Sequence, residues 1–108
     1  MLPVLAAEIQ SIADNLRPIF NSHRVQKALL FGSWARGTQT KNSDIDLMIV
    51  VETDQPFLKR YDEFEEIYLR FPNKEVDLLI YAPGELEAIS HRKFIQTALA
   101  ESAVIYER

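Results

Sequence analysis

The clearest structural pattern in the sequence runs from Val25 to Val51, VQKALLFGSWARGTQTKNSDIDLMIVV. It begins with an apolar run of strand length that ends before a glycine. It closes with a second run of strand length, which starts at Asp44 and is apolar after Asp46. This pattern predicts one strand up to Phe31 and a second strand from Asp44 onward. Both faces of the second strand become apolar after Asp46, which indicates a central strand with its acidic residues at the entering end.

The segment between the two strands is short and polar. Ser33 to Gly37 begins like a helix, and Ser33 is a suitable N-cap residue. The polar run from Thr38 to Ser43 then predicts a loop that leads into the second strand.

The rest of the chain alternates helical and strand patterns around this unit. Apolar residues at helical spacing predict a first helix that runs from Leu2 to about Arg17 and that Pro18 ends or kinks. A second helix is predicted from aromatic residues at spacings of 4, 3, 4 and 3, which we interpret mainly as a core-facing stripe: Phe57, Tyr61, Phe64, Tyr68 and Phe71. Further segments are a strand at 75–81, helical turns with apolar residues at 86–89 and 94–99, and a strand at 103–106. The fold class is α+β, an α/β two-layer arrangement with a small mixed sheet of about four strands and helices packed on it.

The composition fits a single globular domain spanning residues 1–108. Hydrophobic residues make up 47% of the chain and charged residues 26%, which distinguishes it from disordered chains. There is no cysteine, which excludes disulfides and thiolate zinc sites. The net charge is −4 and no basic stripe is present, so we expect no direct nucleic-acid binding. No apolar run approaches the ~20 residues of a membrane span and no signal peptide is recognised, so we expect a cytoplasmic protein without a membrane partner.

Asp44 and Asp46 are alternate residues of the second strand, so their side chains point to the same face. Two carboxylates whose Cα atoms are roughly 7 Å apart can share a pair of divalent ions. Hard oxygen ligands without histidine or cysteine nearby favour Mg²⁺, or Mn²⁺, over zinc. The pair therefore predicts a metal site, although on its own it could be an ordinary solvent-facing strand start.

Asp77 is the third acidic residue, on the strand predicted at 75–81. An isolated acid on an otherwise apolar strand is costly to bury unless a partner compensates its charge. If this strand lies beside the second one, Asp77 joins Asp44 and Asp46, binds one metal ion and accepts a proton from an attacking hydroxyl group. The alternative is an edge-strand charge that prevents aggregation.

Gly32 and Ser33 follow the first strand and open the short helix. Glycine lets the backbone approach a ligand closely, and a helix N-terminus suits a phosphate group. Arg36 lies one turn further on and could meet a leaving pyrophosphate, or it could be an ordinary surface residue.

Two short motifs carry a resemblance to a known family. Gly32-Ser-Trp-Ala-Arg-Gly37, followed by Asn42-Ser-Asp-Ile-Asp-Leu47, resembles the signature of the polymerase-β-like nucleotidyltransferase superfamily. Within it, the short chain and its ending, Phe94-Ile95 through Val104-Ile-Tyr-Glu107, are similar to the minimal nucleotidyltransferases, or MNT proteins. The resemblance spans residues 25 to 107 as an order of elements.

The resemblance implies an enzyme that transfers a nucleotide. Gly32 and Ser33 would hold the nucleotide phosphates, Asp44 and Asp46 would bind the metals, and Asp77 would be the third catalytic position. MNT proteins are commonly encoded beside a small helical HEPN partner, so the resemblance also implies an antitoxin that transfers AMP from ATP onto a tyrosine of a HEPN toxin.

Two other functions remain open. The first is an antitoxin that blocks its toxin by binding alone. The presence of all three acids favours an active enzyme over this alternative. The second is a nucleotidyltransferase that acts on a small molecule such as an aminoglycoside, although 108 residues leave little room for the extra domain such enzymes carry. The acceptor, the nucleotide preference and the oligomeric state, including a homo-oligomer, also stay open.

Overall fold

A mixed four-stranded sheet organises the protein, of which the computed structural model describes residues 7–40 and 43–108. The strands are β1 (Val25–Phe31), β2 (Ile45–Val51), β3 (Val76–Tyr81) and β4 (Ala103–Glu107). Their order is β3-β2-β1-β4, in which β2 and β3 run parallel and the other two neighbouring pairs run antiparallel. The expected α+β class, the sheet of about four strands and the central position of β2 are confirmed.

Helices fill the connections between the strands. They are α1 (Ala7–Ser22), α2 (Ser33–Arg36), α3 (Arg60–Glu63), α4 (Glu65–Leu69), α5 (Pro83–Ile89) and α6 (Lys93–Glu101), with a 3-10 turn at Phe57–Lys59. Within the two described ranges, no helix has the length and apolar character needed to cross a membrane.

The hydrophobic core lies on both faces of the sheet. The larger part packs α1 and α4 against the sheet and includes Leu16, Phe20 and Ile67, which are fully buried. The smaller part lies on the other face, where α5 and α6 cover the sheet through residues such as Ile95. The expected two layers therefore describe the packing of α1 and α4, and α5 and α6 add a partial third layer on the face to which Asp46 points.

The sequence predicts that helix α1 ends or kinks at Pro18. In the structure the helix continues past this residue to Ser22. Pro18 cannot donate a hydrogen bond to the carbonyl group of Asp14. Both residues are exposed, so water can solvate that carbonyl group, and the burial of Ile19 and Phe20 holds the last turn on the sheet. The apolar residues expected at the start of this helix before residue 7 lie outside the described residues.

The aromatic segment after β2 is not one continuous helix. It consists of the 3-10 turn, α3 and α4, with a break at Phe64, whose φ of −110° and ψ of 17° are not helical. Phe64 is 1% exposed, whereas Phe57 and Tyr68 are 41% and 38% exposed, so only part of the stripe belongs to the core. The packing of Phe64 in the core therefore has a larger effect on the backbone conformation of this segment than the helical spacing of its aromatic residues does.

Arg60 fastens this segment to the edge of the sheet. Its guanidinium group is buried and donates hydrogen bonds to the carbonyl oxygens of Gln55 (2.9 Å) and Ile80 (3.3 Å) and to both carboxylate oxygens of Glu85 (2.5 and 2.9 Å). The Arg60 guanidinium and the backbone N–H of Ala82 lower the pKa of Glu85 to about 2. This arrangement ties together the turn before α3, β3 and the start of α5.

Candidate functional site

Gly32 makes the turn that places the candidate site. Its φ of +74° lies in a region that residues with a side chain rarely adopt. A Cβ atom at this position would overlap Oδ2 of Asp46 and lie 3.1 Å from its Cγ. The residue is therefore glycine for two reasons, the backbone conformation and the space that the Asp46 carboxyl group occupies.

Asp46 and Asp77 lie side by side at the start of two parallel strands. They are register partners of β2 and β3, and their carboxyl groups are joined by a hydrogen bond. Burial is the largest cause that raises the pKa of Asp46 to about 6, followed by the hydrogen bond and the negative charge of Asp77. The charge of Asp44 raises this pKa further, and the Arg36 guanidinium opposes the shift. Near pH 6, a proton held by Asp46 can therefore bridge to the Asp77 carboxylate.

Asp44 immediately precedes β2 and is exposed. Its charge affects Asp46, which places it near the pair, but it does not line the same cleft. In the described part of the chain, no three Asp, Glu or His side chains come close enough together to hold a metal ion. The structure thus brings two of the three predicted acids into direct contact and leaves the third beside them.

Ser33 is the first residue of α2 rather than its N-cap, contrary to the sequence prediction. Gly32 occupies the N-cap position, and no side chain caps this helix. Arg36, in the last turn of α2, extends into the cleft and forms an ion pair with Glu101 of α6 at 3.4 Å. Asn42, which belongs to the second sequence motif, lies outside the described residues.

A cleft of about 590 Å³ connects these residues. Gly32, Arg36, Asp46 and Asp77 line one part of it, and the remaining wall comes from the sheet and from α6: Phe31, Leu78, Leu79, Phe94, Thr97, Ala98 and Glu101. A larger groove of about 750 Å³ lies toward the other end of the same sheet face and contains none of the predicted site residues. We place the site in the smaller cleft because it contains the carboxyl pair.

The sequence patterns did not predict that α6 contributes to this cleft. The apolar residues at 94–99 predict one buried helix face, but Phe94 is 61% exposed, whereas Ile95 and Ala98 are buried. Glu101 pairs with a residue 65 positions away, for which a single sequence gives no signal. A spacing of three and four residues from Phe94 through Thr97 to Glu101 is the pattern that could have shown their common face.

The carboxyl pair fits a divalent cation by the chemistry of its donors. Two carboxylates in contact repel each other, and either a shared proton or a bound cation relieves that repulsion. Mg²⁺ is usually held by one or two carboxylates and completes its coordination with water and substrate phosphates. Asp46 and Asp77 supply the two carboxylates that such a site needs, Asp44 lies beside them, and no histidine or cysteine that would favour zinc lines the cleft.

Comparison with known proteins identifies the family. Residues 14–108 match the family model described as polymerase beta, nucleotidyltransferase. Because the match covers most of the chain, this protein belongs to that nucleotidyltransferase family.

Individual relatives and solved structures agree with this assignment. A protein of Methanocaldococcus jannaschii, provisionally named a protein adenylyltransferase, is 36% identical over 75 residues, which cover 68% of this chain and 75% of that protein. A toxin–antitoxin crystal structure with AMP-PNP is similar with a TM-score of 0.67 and 19% identity, over 89% of this chain and 73% of that one. A structure of a tri-AMPylated Shewanella oneidensis HEPN toxin with its MNT antitoxin is similar with a TM-score of 0.61 and 14% identity, over 93% and 73% of the two chains. At these identities the two structures show a shared fold.

Proposed function

We propose that this protein transfers AMP from ATP to a hydroxyl group, with Mg²⁺ as the cofactor and Mn²⁺ as a substitute. The observation that supports this most directly is the contact between Asp46 and Asp77 next to the Gly32 turn, in a cleft with room for a nucleotide. The membership of the nucleotidyltransferase family supports the same class of reaction.

Each residue of the site has a role in this proposal. Gly32 and Ser33 hold the triphosphate through backbone N–H groups and the Ser33 hydroxyl group. Asp44, Asp46 and Asp77 bind the metal, and Asp77 also accepts the proton of the attacking hydroxyl group. When bound, Mg²⁺ would neutralise the negative charge that develops on the phosphate oxygens during transfer.

Arg36 is proposed to contact the leaving pyrophosphate. In the free protein it pairs with Glu101 at 3.4 Å, and both side chains are about half exposed. Exposed ion pairs of this kind contribute at most ~1 kcal/mol. Arg36 can therefore leave Glu101 for a phosphate group at little cost, because a phosphate accepts stronger, charge-assisted hydrogen bonds.

The proposed acceptor is a tyrosine hydroxyl of a HEPN toxin, so that this protein acts as an antitoxin in the cytoplasm. The name of the M. jannaschii relative supports a protein as acceptor. The similarity in fold to a chain from the complex of an AMPylated HEPN toxin with an MNT antitoxin supports this partner.

The test uses the proposed partner, a HEPN protein, as acceptor. Incubation with ATP and Mg²⁺ followed by intact mass spectrometry should show the partner with the added mass of AMP. Asp46→Asn and Asp77→Asn should abolish this product, whereas Asp62→Asn, the same change at an exposed position on α3, should not.

One outcome would contradict the enzymatic proposal, and another would contradict only the proposed acceptor. If the proteins bind each other but no nucleotide triphosphate gives a mass increase, the function is inhibition by binding alone. If a small hydroxyl compound such as an aminoglycoside is modified and the HEPN protein is not, the reaction is correct and the acceptor is wrong.

A further inference from the structure

Phe94 is a large apolar side chain that the fold leaves uncovered within the candidate site. It is 61% exposed, although Ile95 next to it is only 3% exposed. Single exposed apolar residues are common on proteins and carry no meaning by themselves. The position of Phe94 is unusual because its ring lies in the wall of the cleft that also contains Asp46 and Asp77.

The ring of Phe94 is held by a neighbouring aromatic residue. Phe31 contacts it edge to face, with 6.2 Å between ring centroids and an interplanar angle of 84°. Phe31 is buried and immediately precedes Gly32, so the contact links Phe94 to the turn proposed to hold phosphate. In an edge-to-face pair at least one face of the exposed ring stays clear of its partner. A flat ligand could therefore stack on Phe94 without displacing Phe31.

The cleft has an apolar part and a charged part. Leu79 and Ala98 join the two phenylalanines, whereas Arg36, Glu101 and the two aspartates form the charged part. Phe94 and Glu101 are seven residues apart on α6, which corresponds to ~10 Å along the helix axis. A nucleoside triphosphate has the matching form, with a flat, weakly polar base at one end and phosphates at the other.

We propose that Phe94 is the stacking surface for the nucleobase, with the phosphates directed toward Gly32 and Arg36. This inference rests on the proposed function, because it takes the ligand of the cleft to be a nucleoside triphosphate. It adds the binding site of the base, to which neither sequence motif contributes a residue.

A protein acceptor could also pack on an exposed phenylalanine, but the surroundings of Asp77 favour a separate approach for it. Asp77 is exposed and lies on β3, which is an edge strand of the sheet. The free edge of β3 therefore offers the acceptor access to Asp77 while the base occupies Phe94.

The test compares two ligands that differ in the base. Isothermal titration calorimetry would measure the binding of Mg-ATP and of Mg-tripolyphosphate, which lacks base and sugar, to the wild-type protein and to variants. Phe94→Ala should weaken ATP about tenfold, the effect of losing one stacking contact, and Phe94→Trp should retain wild-type affinity. Tripolyphosphate should bind all of these proteins equally. Leu58→Ala is the matched control, because Leu58 is 79% exposed and lies outside the cleft.

The possible results separate this inference from the proposed function. Equal ATP affinity of Phe94→Ala and wild type would overturn the stacking surface and leave nucleotide transfer intact. A loss of HEPN binding by Phe94→Ala with unchanged ATP affinity would also overturn it, because the ring would then contact the acceptor. If the wild-type protein binds neither ATP nor tripolyphosphate, the proposed function fails and the inference fails with it.

Discussion

Asp46 and Asp77 are register partners across the parallel strands β2 and β3, and a hydrogen bond joins their carboxyl groups. Parallel pairing places the starts of both strands at the same edge of the sheet. The antiparallel strand β1 ends at that edge, because Phe31 pairs with Asp46. The Gly32 turn and the carboxyl pair are thus adjacent as a direct result of the strand directions.

The three glycines of the chain allow backbone strain to be separated from crowding. Gly32 has a positive φ and no room for a side chain, Gly37 has a positive φ of 75° with open space around it, and Gly84 has neither constraint. Gly32→Ala should displace the Asp46 carboxyl group and lower the transfer rate by ~100-fold or more. Gly37→Ala should cost ~1–2 kcal/mol of stability through backbone strain and leave the rate of the folded protein close to wild type.

We would measure the transfer rate per folded molecule and the free energy of unfolding of the three alanine variants. Gly84→Ala is the reference, and its transfer rate should equal that of wild type. Similar rate losses in Gly32→Ala and Gly37→Ala would show that crowding against Asp46 has no role.

The charge on Asp46 is expected to destabilise the metal-free fold. Its pKa rises from 3.8 to about 6, so the folded state binds a proton more tightly than the unfolded state does. The corresponding stability is fully present below pH ~4 and is lost as the pH rises through ~6. Asp46→Asn should therefore be more stable than wild type at pH 7.5 in EDTA and unfold at a higher temperature. The gain in the free energy of unfolding should be ~1 kcal/mol because the carboxyl group is only partly buried. Thermal denaturation of both proteins at pH 4 and pH 7.5 measures this, and a difference that does not grow with pH would contradict it.

Activity should depend jointly on pH and on metal concentration. Protons and Mg²⁺ compete for the carboxyl pair, so the Mg²⁺ concentration at half-maximal rate should rise by up to ~10-fold per pH unit below pH ~6. Saturating Mg²⁺ should restore the rate. Metal titrations at pH 5.5, 6.5 and 7.5 test this, and a half-maximal concentration that is the same at all three would mean that the pair does not bind the metal.

The contacts of Arg60 should contribute to stability and not to transfer. Arg60→Met removes the hydrogen bonds that the guanidinium group donates to the carbonyl oxygen of Ile80 and to the Glu85 carboxylate, at a cost of ~1–3 kcal/mol. Chemical denaturation would show this loss, while the rate per folded molecule stays at the wild-type value. A rate that falls more than twofold would place Arg60 in the function of the site.

The same ion pair predicts a pH dependence in acid. The pKa of Glu85 is lowered to about 2, so its contribution to stability is present above pH ~4.5 and is lost as the pH falls toward ~2. Glu85→Gln should therefore be less stable than wild type at pH 7, and the difference should disappear near pH 2. Urea denaturation at both pH values is the measurement, and a constant difference would mean that the charge of Glu85 has no effect.

Strand patterns and the two motifs were sufficient to predict β1, β2 and the residues at their junction. These signals are local, since a glycine that ends one apolar run and acids that begin another are visible within 25 to 51. The pairing of Asp77 with Asp46 could only be stated as a condition, because strand order depends on long-range packing.

The sequence predictions were wrong where tertiary contacts affect the backbone conformation more than local sequence preferences do. Pro18 fails to end α1 because buried residues follow it on the core side, and Phe64 breaks a predicted helix because its ring is needed in the core. The position of Phe94 in the cleft depends on how α6 packs on the sheet, and its sequence neighbours do not reveal this.

The most direct test of nucleotidyl transfer follows the individual phosphates of ATP. The wild-type protein is incubated with Mg²⁺, the HEPN partner and ATP labelled at either the α- or the γ-phosphate, beside Asp46→Asn and Asp62→Asn. We expect label from the α-phosphate, and none from the γ-phosphate, to become covalently attached to the partner, with wild type and Asp62→Asn but not with Asp46→Asn. Transfer of the γ-phosphate, or α-label transfer that persists in Asp46→Asn, would contradict a nucleotidyltransferase site built on Asp46 and Asp77.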